Sequence, residues 1–186
     1  MNLTTERLQI CTISAADLEL YCQIYCDPTA MQFVAPAYDR AKAERCFAHA
    51  LKQSHKAEQN LRLMSIAWRA CGRKIGICGY QRLAQAGNVF EPGFMLLPGT
   101  QSQGVGTEVV AALCEALFRL PNATCWPRET NLKESCQTAA TEIWLQYRAD
   151  NVAADRLVKR LGFTVEYQTD PNAGSAAIMG RVTLRR

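Results

Sequence analysis

The feature that most constrains this chain is the run Pro98-Gly99-Thr100-Gln101-Ser102-Gln103-Gly104-Val105-Gly106-Thr107-Glu108. A strand-like apolar segment, Val89 to Leu97, leads into it. An amphipathic segment leads out, with Val105, Val109, Leu113 and Leu117 recurring every four residues, which predicts a helix over about 103–119. Two glycines at the helix start let backbone N–H groups approach a ligand closely. Those N–H groups have no partner within the helix, and the helix dipole adds positive potential. The segment therefore reads as a strand–turn–helix anion site for a phosphate or pyrophosphate, with no lysine required. An ordinary strand-to-helix turn is the other reading of the same residues. A dinucleotide fingerprint would need a third glycine where Val109 stands, and a Walker loop would need Lys-Ser/Thr where Thr107-Glu108 follows.

The remaining pattern is mixed. Leu8 and Ile10 alternate in a first strand over 3–12, and Ser14 caps a helix carrying Leu18, Tyr21, Cys22 and Tyr25 that stops at Asp27-Pro28. A second helix is expected over 40–57, with Ala43, Cys46, Phe47, Ala50 and Leu51 on one face. Strands over 61–70 and 73–83 flank a turn at Cys71-Gly72-Arg73, and the strand from Val89 contains Pro92, which marks an edge or a bulge. Residues 121–140 read as irregular, with one helical turn near 131–138. A strand over 141–148 precedes a helix capped by Asn151, and Gly162-Phe163 closes that helix as a Schellman ending. Two strands, 163–169 and 176–184, finish the chain around Asp170-Pro171-Asn172.

At 186 residues this is one domain, 1–186, of α+β (mixed α/β) class. The net charge of +4 comes from scattered basic residues, not a stripe, so no nucleic-acid partner is expected. No apolar run approaches the ~18 residues of a membrane span. The opening Met1-Asn2-Leu3-Thr4-Thr5-Glu6-Arg7 shows no signal-peptide pattern, so a reduced, cytoplasmic setting is expected. Nine cysteines form no C-x-x-C pair and only two histidines, His49 and His55, accompany them, so no metal is expected. Cys46 and His49 read as structural.

Gln101-x-x-Gly104-x-Gly106 resembles the acyl-CoA pyrophosphate motif of the GNAT N-acetyltransferase superfamily. Three further segments agree in order. Thr5-Glu6-Arg7-Leu8 resembles the opening strand of the RimJ/RimL-like branch, Glu91-Pro92-Gly93-Phe94 its splayed strand, and Asn151-Val152-Ala153-Ala154 through Leu161-Gly162-Phe163 its C-terminal element. The resemblance implies a mostly antiparallel, splayed sheet flanked by helices, and acetyl-CoA as co-substrate for a primary amine, either a protein N-terminus or a small molecule. It places CoA on the backbone of Met95 and Leu96, on Gln101, Gln103, Gly104, Val105, Gly106 and Thr107, and on Asn151. It makes Glu91 the candidate general base, and it implies a homodimer. It also exposes departures. Val158 stands where many members have a tyrosine acid, Ala154 where some have serine, and Gln146 where some have glutamate. A non-catalytic acyl-CoA-binding module is therefore the alternative. The acceptor side would be built from 14–57 and 121–140; Phe33, Tyr38 and Phe47 could wall it but read better as core, and the insertion with Trp126 and Arg128 reads better as a surface loop.

Overall fold

The computed structural model describes residues 2–55, 61–83, 88–101, 103–119, 139–169 and 178–185. Its strands are β1 (Leu3–Thr4), β2 (Leu8–Thr12), β3 (Leu61–Trp68), β4 (Lys74–Arg82), β5 (Val89–Leu96), β6 (Glu142–Arg148), β7 (Thr164–Thr169) and β8 (Ile178–Arg185). Its helices are α1 (Leu18–Tyr25), α2 (Pro28–Met31), α3 (Arg40–Ser54), α4 (Val105–Phe118) and α5 (Val152–Arg160). The strands form an eight-stranded sheet in the order β1-β2-β3-β4-β5-β6-β8-β7. Neighbours are antiparallel except β5 and β6, which run parallel.

Helices cover both faces. Val105, Val109, Leu113 and Leu117 of α4 are all buried, as their spacing predicts. They pack with Val158 of α5 against one face, beneath Ile66, Cys78, Phe90, Leu96, Ile143 and Leu145. The other face carries α1 and α3, where Tyr21, Ile24, Ala43 and Phe47 cover Ile77, with Met95 and Leu97 alongside.

Two expectations need correction, and one open alternative is resolved. The strand over 3–12 is two strands, because a turn closed by the Thr5 N–H to Leu8 C=O bond (3.0 Å) folds β1 back onto β2, pairing Leu3 with Ile10. The α3 helix ends at Ser54, three residues short of the expected 57, and His55 leaves helical geometry. Pro92 makes no bulge. The β4–β5 register runs unbroken from Gly76↔Leu96 to Arg82↔Phe90, so Pro92 marks an edge instead. The expected turn at 170–172 and the 121–138 segment, with Trp126 and Arg128, lie outside the described residues.

The ending of α5 is as expected. Gly162 has φ +76°, Phe163 N–H donates to Val158 C=O (3.1 Å), and Gly162 N–H donates to Lys159 C=O (3.1 Å). Val158 and Phe163 are both buried in the same apolar cluster, the side-chain contact that accompanies this motif.

Candidate active site

The site begins where β5 and β6 part. They pair only at Val89↔Glu142 and Phe90↔Ile143. Beyond that point β5 and β6 no longer pair, while β6 keeps β8 on its other side along its whole length, and Pro92 has no N–H to offer. A V-shaped gap therefore opens at Glu91. Phe90 and Ile143 pack beneath α4, so alternation along the strands sends Glu91, Met95, Trp144 and Gln146 to the opposite face. Glu91 is half-buried there, and Gln81 Nε2 donates to its Oε2 at 2.7 Å.

Because β5 and β6 are parallel, the helices that follow them start at the same end of the gap. The turn after β5 has Leu97 C=O accepting from Thr100 N–H (3.1 Å) and Thr100 Oγ1 (2.7 Å). Gly99, at φ +82° behind Pro98, gives it the type II geometry. Gln103 Nε2 reaches back to Gly99 C=O (3.2 Å). Gly104 then starts α4 at φ +76°.

This helix start differs from three others in the chain. Asp27 caps α2 by accepting from Ala30 N–H (2.7 Å), Asp39 caps α3 from Lys42 N–H (2.7 Å), and Asn151 caps α5 from Ala154 N–H (3.0 Å). No side chain caps α4. Its first intrahelical bond is Glu108 N–H to Gly104 C=O (3.1 Å), so the N–H groups of Val105, Gly106 and Thr107 have no partner within the helix.

Gly106 is required for a second reason. A Cβ there would lie 2.5 Å from Phe94 Cζ and 3.1 Å from Leu157 Cδ1, so its absence lets α4 sit against β5 and α5. The side chains of Leu96 and Val105 are in the core, which leaves only their backbones to meet a ligand. Gln101 and Gln103 are exposed at the turn. Asn151 stands at the start of α5 with its Oδ1 engaged as the cap, leaving the amide N–H groups as its donors to a ligand.

The three departures are now placed. Val158 is buried with Phe163, Ala154 packs on the same cluster, and Gln146 is exposed. Burial pushes the Cys114 thiol up to about 12 and that of Cys78 higher still, so both are inert packing groups. No group of three metal-ligating side chains occurs among the described residues.

One network was not legible from spacing. Glu108, in the first turn of α4, accepts from Arg7 N–H (3.0 Å), from Arg7 Nε (2.7 Å) and from the Thr5 hydroxyl. Arg7 Nη1 also donates to Gln103 C=O (3.0 Å). Partial burial pushes the Glu108 carboxyl up, but the Thr5 and Arg7 donors outweigh it and hold the group below its usual value. The signal was present as Thr5-Glu6-Arg7-Leu8, but a partner about a hundred residues away cannot be read from a local pattern.

The fold is shared with solved acetyltransferases. An acetyltransferase of the GNAT family from Bacillus anthracis superposes with a TM-score of 0.77 at 13% identity, covering 100% of this chain and 98% of that one. RimL, a ribosomal α-N-protein acetyltransferase in complex with coenzyme A, gives 0.76 at 12% identity, over 100% and 98%. A spermidine N-acetyltransferase from Vibrio cholerae, in complex with CoA and spermine, gives 0.73 at 14% identity, over 97% and 96%. No curated protein matches the chain in sequence. The pattern of the acetyltransferase (GNAT) domain matches residues 7–164, most of the chain, and the protein belongs to that family.

Proposed function

We propose that the protein transfers the acetyl group of acetyl-CoA to a primary amine by direct attack in a ternary complex. The observation that carries this reading is the start of α4, without a side-chain cap, at the end of the β5–β6 gap where α5 also begins. The N–H groups of Val105, Gly106 and Thr107 suit the CoA pyrophosphate, with Gln101, Gln103 and Gly104 forming the turn around it. The pantetheine arm fits along the gap-facing edge of β5 at Met95 and Leu96, where Leu96 turns its backbone away from β4 while Met95 pairs with Ile77. The amide N–H groups of Asn151 suit a pantetheine carbonyl.

The chemistry needs few side chains. The amine gives up a proton, attacks the thioester carbonyl carbon, and the C–S bond breaks to release CoA thiolate. Glu91, on the face of β5 opposite α4, is the candidate base, with Gln81 fixing its orientation. General-base help is worth about 10²–10⁴-fold. A backbone N–H near Met95 suits the oxyanion, and holding amine and thioester together supplies much of the rest. Thiolate departs without a dedicated acid, because Val158 and Ala154 offer none.

Two structural neighbours act on a protein α-amine and on spermidine. The α-amine is the easier nucleophile, with a pKa near ~8 against ~10.4 for a lysine-type ammonium. That favours a protein N-terminus or a small amine of similar basicity. The buried Val158 favours one other reading, an acyl-CoA-binding module without turnover.

Calorimetry of acetyl-CoA on the wild type and on Gly104→Glu tests the reading. The added carboxylate repels the pyrophosphate, so micromolar binding lost in the variant supports it. A folded wild type that does not bind overturns it. Acetyl transfer to a panel of peptides and amines then separates the enzyme from the binding module.

A further inference from the structure

The helix start proposed to receive a pyrophosphate has a carboxylate, Glu108, in its own first turn. Left uncompensated, that charge opposes the anion. The structure places Arg7 against it, with Nε and Nη2 both 2.7 Å from Oε2. The remaining guanidinium arm holds Gln103 C=O, directly before Gly104. Arg7 is itself held from behind. Its carbonyl accepts from Arg69 N–H (2.9 Å), and Arg69 Nη1 donates to the Thr5 and Glu6 carbonyls at 2.7 and 3.1 Å. The Arg7 guanidinium also sits 5.9 Å from the centre of the Trp68 ring.

We propose that Arg7 is a positioning residue for the pyrophosphate site, neutralising Glu108 and fixing the Gln103–Gly104 turn so that the α4 N–H groups converge on the anion. The inference rests on the CoA reading above. The partners of Arg7 explain the division of labour. Glu108 and Thr5 tie the β1–β2 turn to α4, and Arg69 with Trp68 ties the same turn to β3. The turn that presents the N–H groups is thus braced from the far edge of the sheet. A lysine would keep the charge but lose the fork that serves Glu108 and Gln103 together.

The test compares two ligands that differ in the pyrophosphate. CoA is titrated by calorimetry and pantetheine by NMR, into wild type, Arg7→Ala, Arg7→Lys and Arg7→Ala/Glu108→Gln, with thermal melts on each. In Arg7→Ala the Kd for CoA is expected to rise about ten- to a hundredfold, the range of one lost charge-assisted hydrogen bond, while that for pantetheine shifts much less. Adding Glu108→Gln recovers part of the loss, because the unpaired carboxylate is gone. Arg7→Lys falls between, and it carries the test if Arg7→Ala does not fold. CoA affinity in the variants equal to wild type overturns the proposal, as does an equal loss for both ligands, which marks a merely structural role. Wild type that binds neither ligand overturns the CoA reading itself, and the proposal with it.

Discussion

Substituting Gly106 by alanine isolates how α4 is seated. In an open helix the change stabilises, since alanine is favoured over glycine by up to about 1 kcal/mol. Here the new methyl carbon would stand 2.5 and 2.8 Å from Phe94 Cζ and Cε2 and 3.1 Å from Leu157 Cδ1. Ordinary carbon contacts are about 3.5–4.0 Å, so the ring or the helix must give by about 1 Å. Overpacking of this kind costs about 1–3 kcal/mol. Set against the helix gain, the net destabilisation is about 0.5–2 kcal/mol. For a chain of this size that lowers Tm by roughly 1–8 °C. Urea denaturation gives the number directly as a fall in midpoint with unchanged slope. Phe94→Leu removes the opposing ring atoms, so in that background Gly106→Ala should cost much less, a non-additivity read from the double-mutant cycle. A Gly106→Ala variant as stable as wild type, or stabler, refutes the packing argument.

Other expectations test separate parts of the structure. Gly162 has φ +76° with nothing near its Cβ position, so Gly162→Ala should lose about 1 kcal/mol through backbone strain alone, measured by urea unfolding, and CoA binding should persist. Glu91→Gln should lower kcat about a hundredfold or more, while Gln81→Ala falls less; unchanged kinetics in Glu91→Gln would make the carboxylate a bystander. Asp17 is 2% exposed and pairs with Lys74 at 2.6 Å. Burial pushes its carboxyl up, but Lys74 and Ser14 more than offset this and hold it below the usual 3.8. A depressed folded-state pKa means the pair's contribution is complete above the unfolded value and lost as pH falls through the folded one. Wild-type stability should therefore fall more steeply below about pH 4 than that of Asp17→Asn, which should already be weaker at pH 7 by about 1–3 kcal/mol. Parallel acid titrations of the two would remove Asp17 from the account.

Local signals determined much of this protein. The four-residue recurrence from Val105 to Leu117 fixed the buried stripe of α4, because helical spacing alone decides which residues share a face. Asn151 and Gly162 bounded α5 for equally local reasons, a side-chain oxygen for an orphan N–H and a backbone that accepts positive φ. Pro98-Gly99 and Gly104 announced the turn that starts α4. Pro92 announced an irregularity but not its kind, since edge and bulge differ only in what the neighbouring strands do. That was decided by the unbroken β4–β5 register and by β6 leaving β5 after Phe90. The hairpin hidden in residues 3–12 escaped notice because β1 has only two residues, too few for a period. The bond from Glu108 to Arg7 spans a chain separation that no periodicity encodes. Glycine at 106 was legible as permission for an anion to approach, yet only the tertiary packing showed that Phe94 and Leu157 demand it. Sequence supplies conformational preferences residue by residue, and the sheet order decides which of them meet.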